Sequence, residues 1–272
     1  MNDIRLIAID LDGTLLSSDH TICEYNLTML RRAIEEKGVY VAISSGRIYT
    51  EALEYSEMIA PGQPVICSNG SMACTHDPYE VVYCECLTKA QLRSVVEILE
   101  KEKSYYQVYV DDGSLMESRY PSPFEPKKND VYNYTGEVLS GDEMPKYVGD
   151  GALKVVCFER NAEKLTRARA ALEKLGNLEI NSSWFDNVEI LGNGVTKGAA
   201  LTALANHLGI PMECTMALGD NENDLSMLRT AAVGVAMANA TDKVKAEADF
   251  ITLSNNEGGV GHAVAKFVFG EE

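Results

Sequence analysis

The apolar run Leu6-Ile7-Ala8-Ile9 stops abruptly at Asp10-Leu11-Asp12-Gly13-Thr14. A segment with no polar position on either face predicts a strand buried on both sides, as in a parallel sheet covered by helices. The first eighty residues continue in that texture: strand 4–10, helix 24–37, strand 39–45, helix 48–59 and strand 64–67. It returns after about residue 190. Thr196 is placed to cap a helix whose stripe is Leu201, Leu204, Ala205 and Leu208, and Gly209 with Pro211 ends it. A strand at 214–218, a helix from about 222, a strand near 232–236 and two more helical segments complete the pattern. Strands alternating with helices predict an α/β fold with a doubly wound parallel sheet.

The middle of the chain reads differently. Val81-Val82-Tyr83 opens it as a strand, and a helix follows with Leu92, Val95, Val96 and Leu99 on one face. Strands at 105–110 and 114–118 flank the Asp111-Asp112-Gly113 turn. Beyond a Pro-, Asn- and Tyr-rich stretch at 120–136 come a strand at 152–158, a helix carrying Leu165, Ala168, Leu172 and Leu175, and two strands to about 191. The reading is a discontinuous core domain, 1–81 and 190–272, interrupted by an inserted α+β domain at 82–189.

Composition narrows the function. The 272 residues carry 41 acidic and 24 basic side chains, a net charge of −17, with no Lys/Arg cluster. Nucleic acid and anionic membranes are therefore poor partners. No long apolar run or leader-like start predicts a membrane span or export. The seven cysteines are scattered, and Cys84-x-Cys86 has neither zinc-knuckle spacing nor a partner pair, which points to thiols in a reducing cytoplasm.

Four polar strings each sit at the end of a predicted strand or the start of the next helix. Asp10–Thr14 is the first. Ser44-Ser45-Gly46-Arg47 follows the second strand, where a hydroxyl and helix-end amides suit an anion. Ser68-Asn69-Gly70 follows the third, and by itself reads as a turn. Lys197 opens a helix, where the macrodipole disfavours a cation and a phosphate would favour one. Asp220-Asn221-Glu222-Asn223-Asp224 alone would do no more than cap a helix. In a doubly wound sheet, however, these ends converge. Asp10, Asp12, Asp220 and Asp224 would then crowd one volume, which requires a cation. Oxygen ligands without His or Cys point to Mg²⁺ bound together with a substrate phosphate.

The four strings together resemble the motifs of the haloacid dehalogenase (HAD) superfamily, and the resemblance spans essentially the whole chain. Asp10-Leu11-Asp12-Gly13-Thr14-Leu15 matches the first motif, and Ser45-Gly46-Arg47 stands where Thr-Gly-Arg is usual. Lys197 matches the third motif, and Gly219-Asp220 with Asn223-Asp224 the fourth. The insert falls where the Cof-type sugar phosphatases carry an α/β cap of type IIB, so the resemblance implies a Rossmann-like core with such a cap.

The resemblance also implies roles. Asp10 is the expected nucleophile, forming an aspartyl-phosphate, and Asp12 the expected general acid/base. Mg²⁺ is expected on the Asp10 and Asp220 side chains and the Asp12 carbonyl, with Asp224 in support behind them, orienting Lys197 or the metal's waters. Leu11, Ser45, Gly46, Lys197 and Asn223 are expected to hold the phosphoryl oxygens, while Arg47 and Asn69 face the substrate. A Mg²⁺-dependent phosphatase for small phosphomonoesters, sugar phosphates first, is the implied activity. It implies a cytoplasmic monomer or small homo-oligomer whose partner is a small phosphorylated metabolite. The rivals are a phosphomutase of the same superfamily and a non-catalytic sugar-phosphate-binding regulator. A mutase needs a second anchor in the cap, for which Arg119, Lys127, Lys128 and Arg160 are the cations available. Intact Asp10, Asp12, Lys197 and Asp220 speak against a regulator. The hairpin at 111–118 and the tyrosines Tyr120, Tyr132 and Tyr134 are the cap's candidates for selecting substrate.

Overall fold

The computed structural model describes residues 3–123, 134–139, 141–182 and 186–271, with the side chains of 134–137 excepted. The chain forms two units, Met1–Cys84 with Thr196–Glu272, and Glu85–Val195. In chain order, the first stretch holds β1 (Leu6–Ile9), α1 (Glu24–Lys37), β2 (Tyr40–Ser44), α2 (Tyr49–Ile59), β3 (Val65–Cys67), β4 (Met72–His76) and β5 (Tyr79–Cys84). The second unit holds α3 (Lys89–Glu102), β6 (Tyr105–Val110), β7 (Leu115–Ser118), β8 (Tyr134–Leu139), α4 (Glu143–Val148), β9 (Ala152–Phe158), α5 (Ala162–Glu173), β10 (Leu178–Asn181) and β11 (Asn187–Gly192). The chain then returns with α6 (Lys197–His207), β12 (Thr215–Gly219), α7 (Leu225–Thr230), β13 (Val233–Ala236), α8 (Asp242–Glu247), β14 (Phe250–Ile251) and α9 (Gly259–Val264).

The larger sheet has the order β14-β13-β12-β1-β2-β3-β4-β5. Its six strands from β14 to β3 run parallel, and the hairpin β4–β5 closes one edge antiparallel. Every residue of β1, β12 and β13 is buried, which is why these strands have no polar face. The helices are delimited by ordinary caps. Gly38, with φ at 66°, donates its N–H to the Ile34 carbonyl and the next residue, Val39, donates to Ala33, which ends α1, while Thr196 accepts from the Ala199 N–H and starts α6. Successive strands step outward in opposite directions from the β1–β12 pair. The crevice at the carboxyl ends of those two strands is therefore the sheet's switch point.

The smaller sheet has the order β10-β11-β9-β6-β7-β8, antiparallel throughout apart from β7 with β8. Leu92, Val95, Val96 and Leu99 of α3, with Ala168 and Leu172 of α5, bury against alternate residues of the sheet, among them Tyr106, Val108, Val155, Cys157, Val188 and Ile190. Two expectations are corrected here. Val81-Val82-Tyr83 does not open the insert: it lies in β5, paired with β4 in the larger sheet. At the far side β11 and the segment to Val195 belong to the smaller unit, so the units divide after Cys84 and Val195 rather than at 81 and 189. Lys127 and Lys128, two of the cations a mutase could use, and Tyr132 lie outside the described residues, as does the side chain of Tyr134. No helix among the described residues is long and apolar enough to cross a membrane.

Candidate active site

The strand register brings the polar strings together. Ile9 pairs with Leu218 on one side and Ile43 on the other, so Asp10, Gly219 and Ser44 end their strands level with one another. The Asp10 N–H continues the ladder to the Leu218 carbonyl at 3.1 Å, and the chain then turns back through Thr14 N–H to the Leu11 carbonyl at 3.2 Å. Gly13 is at φ 89°, and a Cβ there would stand 2.5 Å from Asp220 Oδ2. Only glycine lets this turn approach the opposing carboxylate so closely. Thr14 Oγ1 closes the contact by donating to Asp220 Oδ1 at 2.8 Å.

Lys197 is the centre of the site. Its side chain is fully buried, and Nζ lies 2.6 Å from both Asp10 Oδ1 and Asp224 Oδ1. Burial works against the ammonium, but the two carboxylates outweigh it and hold its pKa above the ordinary lysine value. Asp224 does two jobs at once. Its Oδ2 accepts the Asp220 and Asn221 N–H groups at 2.9 and 3.0 Å, a helix-start cap, while its other oxygen holds the lysine.

Three carboxylates surround this one cation. Burial, then Asp224, raises the Asp10 carboxyl well above the usual range, with Lys197 opposing. The same two causes push Asp220 up to about 6. Ligand oxygens of Asp10, Asp220 and Asp224 lie within 4.8 Å of one another. Asp224 has both oxygens engaged, whereas Asp10 Oδ2 and Asp220 Oδ2 have no hydrogen-bond partner among the described residues. A hard cation taking one oxygen from each would relieve the crowding, so the donor set fits Mg²⁺.

Residues 7–264 match the sequence profile of the haloacid dehalogenase-like hydrolases. The chain belongs to this family. Phosphatase YwpJ of Bacillus subtilis (strain 168) is 33% identical over 282 residues, covering 95% of this chain and 98% of that protein. The 5-amino-6-(5-phospho-D-ribitylamino)uracil phosphatase YcsE of the same organism is 32% identical over 267 residues, 98% of this chain and 96% of its own. A solved HAD subclass IIB sugar phosphatase superposes with a TM-score of 0.79 at 27% identity, covering 97% of this chain and 98% of its own. The chain is thus a HAD phosphatase that acts on phosphate substrates.

The remaining motif residues of this hydrolase are tied to one another by hydrogen bonds. Asn69 donates its N–H to the Ser45 carbonyl at 3.0 Å and accepts from Asn223 Nδ2 at 3.1 Å, tying the second-motif loop to the fourth. Ser45 Oγ accepts from the Arg47 N–H at 3.2 Å. Arg47 itself turns to Asp12: Nε donates to Oδ2 at 3.0 Å and Nη2 to Oδ1 at 2.7 Å. The hydrogen bonds to Asp12 raise the guanidinium's pKa above its ordinary value. In the smaller unit, Arg119 is paired with Glu100 at 2.7 Å and Arg160 is exposed.

Sequence reasoning missed the residues that brace the Asp10–Thr14 turn from behind. Asn239 Nδ2 donates to the Gly13 carbonyl at 2.8 Å, and its Oδ1 accepts from the Asn255 N–H at 3.0 Å. Asn255 Nδ2 in turn donates to the Leu16 carbonyl at 2.8 Å. These side chains bond backbone, so no spacing or charge pattern marks them; Asn in a loop between a strand and a helix was the only available signal.

Proposed function

We propose that the protein is a Mg²⁺-dependent phosphatase of small phosphomonoesters, sugar phosphates foremost, working through an aspartyl-phosphate on Asp10. The observation that carries this reading is the buried Asp10–Lys197–Asp224 chain beside Asp220 at the switch point of the sheet. Asp10 needs no base to become a nucleophile, since a carboxylate is one already; it needs orientation and relief from the charge of an approaching phosphate dianion. Lys197 supplies the first by fixing the Asp10 carboxylate and part of the second by its charge. Asp10 and Asp220, with the Asp12 carbonyl, would hold Mg²⁺, which when bound screens the remaining repulsion and polarises the phosphoryl group.

Asp12, two residues along and half-exposed, has the position for proton traffic: it would protonate the leaving alcohol and later deprotonate the water that frees Asp10. The Leu11 N–H, Ser45, the Gly46 N–H and Asn223 are the donors assigned to the phosphoryl oxygens. The relatives support phosphate-ester hydrolysis, and the subclass IIB sugar phosphatase supports the sugar assignment. Turnover of p-nitrophenyl phosphate with Mg²⁺ and its loss in Asp10→Asn tests the chemistry; an inert but folded wild type, or an active Asp10→Asn, refutes it. A panel of phosphate esters ranked by kcat/KM tests the substrate class. Nucleotides leading that panel by a wide margin would overturn the sugar assignment.

A further inference from the structure

Asp12 carries a short side chain that is 51% exposed, on a turn rather than in a strand. Such a carboxylate has little packing to choose its rotamer. Arg47 supplies the missing constraint. Its Nε and Nη2 donate in parallel to the two oxygens of Asp12, at 3.0 and 2.7 Å, which specifies both the position and the plane of the carboxylate. The arginine is itself held. Its guanidinium carbon lies 5.1 Å from the centroid of the Tyr55 ring on α2, its N–H bonds Ser45 Oγ, and its carbonyl accepts the Ser68 N–H at 2.8 Å. The other nearby cationic side chain among the described residues is His20, whose Nδ1 stands 4.0 Å from Asp12 Oδ1, in a turn where its φ is 59°. That is too far to orient the carboxylate.

We propose that Arg47 is a positioning residue that acts on the reaction through Asp12, with the Tyr55 ring setting the guanidinium from behind. The inference rests on the reading of Asp12 as general acid/base. Its content is that Arg47 contributes by orientation and not by charge alone. A lysine keeps the charge but offers no planar fork, so it does not replace the arginine. General acid/base assistance is worth about 10²–10⁴-fold, and misorienting the carboxyl forfeits part of that.

The leaving group makes the effect readable. A nitrophenolate departs without a proton, whereas an alkoxide needs one. For both esters kcat/KM reports steps only up to alcohol or phenol release, so the later hydrolysis of the phosphorylated enzyme does not enter. The experiment measures kcat/KM for p-nitrophenyl phosphate and for a sugar phosphate in wild type, Asp12→Asn, Arg47→Lys, Arg47→Met, Tyr55→Leu and the Asp12→Asn/Arg47→Met double variant. Both Arg47 variants should lower the ratio of sugar to aryl ester by about tenfold or more, and Tyr55→Leu by a smaller factor in the same direction. In the Asp12→Asn background, Arg47→Met should lower that ratio no further. The aryl ester reports that each variant is folded.

Two results overturn the inference while leaving Asp12 in its role: equal losses on both esters in the Arg47 variants, or a ratio that falls again in the double variant. If Asp12→Asn itself leaves the ratio unchanged, the assignment of Asp12 fails and this inference fails with it.

Discussion

Replacing Lys197 by methionine should destabilise the larger unit severely, and in a pH-dependent way. The substitution keeps the apolar stem and removes an ammonium with no solvent exposure that sits 2.6 Å from two carboxylates. Removing one partner of a buried pair costs ~3–5 kcal/mol, because the charge left behind has no water to replace it. Here Asp10 and Asp224 lose the same partner while Asp220 remains close by. The upper half of that range therefore applies in the absence of metal. At roughly 2–4 °C per kcal/mol for a domain of this size, the melting temperature in EDTA should fall by about 10–20 °C. The pH dependence follows from the same groups. Carboxyls whose folded pKa lies above the unfolded value bind more protons when folded, so acid favours the fold. Protonating Asp10 or Asp220, both already raised, substitutes for the missing cation. The deficit relative to wild type should shrink between pH 7.5 and pH 5, as read by calorimetry at each pH. A loss below ~1 kcal/mol, or a deficit that grows on acidification, would show that Lys197 does not carry this charge balance.

Three further outcomes follow from individual contacts. Gly70 is at φ 94° and a Cβ there would lie 2.3 Å from the Thr196 carbonyl, so Gly70→Ala should displace the start of α6 with Lys197 on it. It should cost ~2 kcal/mol or more and most of the turnover; a variant with wild-type melting and kcat would refute this. Asp220, pushed up to about 6, makes a metal-free contribution to stability that is largest below the ordinary carboxylate range and is lost as pH rises through about 6. Protons and Mg²⁺ compete for it, so the rise in melting temperature caused by Mg²⁺ should be larger at pH 7.5 than at pH 5; equal shifts would contradict the assignment of Asp220. In the smaller unit Lys154 and Glu189 are paired at 3.0 Å with about 5% exposure each. Lys154→Met alone should cost ~3 kcal/mol and Lys154→Met/Glu189→Leu distinctly less, in urea denaturation; a double variant as unstable as the single would refute it.

How much of this is legible in the sequence depends on whether a residue's partner is near it in the pattern. The central strands are, because burial on both faces forbids polar residues, and β1, β12 and β13 obey that rule. β5 is legible as a strand but not as a member of the larger sheet, since the β-branched and aromatic residues of Tyr79–Cys84 mark a strand without saying which neighbour it pairs with. β8 begins within the Pro-, Asn- and Tyr-rich stretch at 120–136, where Pro and Asn weaken any strand signal, and its pairing comes from β7.

Within the site, Asp224 marks the boundary between legible and illegible most sharply. A carboxylate four residues after Asp220 at a helix start is fully explained by capping, and capping is what its Oδ2 does. The other oxygen holds Lys197, which opens α6 27 residues earlier in the chain, and no local signal distinguishes the two uses. One side chain fixes the helix start and the lysine in the same geometry, so they cannot shift independently. Asp224→Asn tests that coupling: the amide keeps one oxygen acceptor, either for the two N–H groups or for the ammonium, but offers only an N–H₂ donor to the other. It should lower stability and the affinity for Mg²⁺ together, in the same preparation, measured by melting in EDTA and by Mg²⁺ titration of the melting temperature. A variant that loses one and keeps the other would show that cap and lysine are held separately.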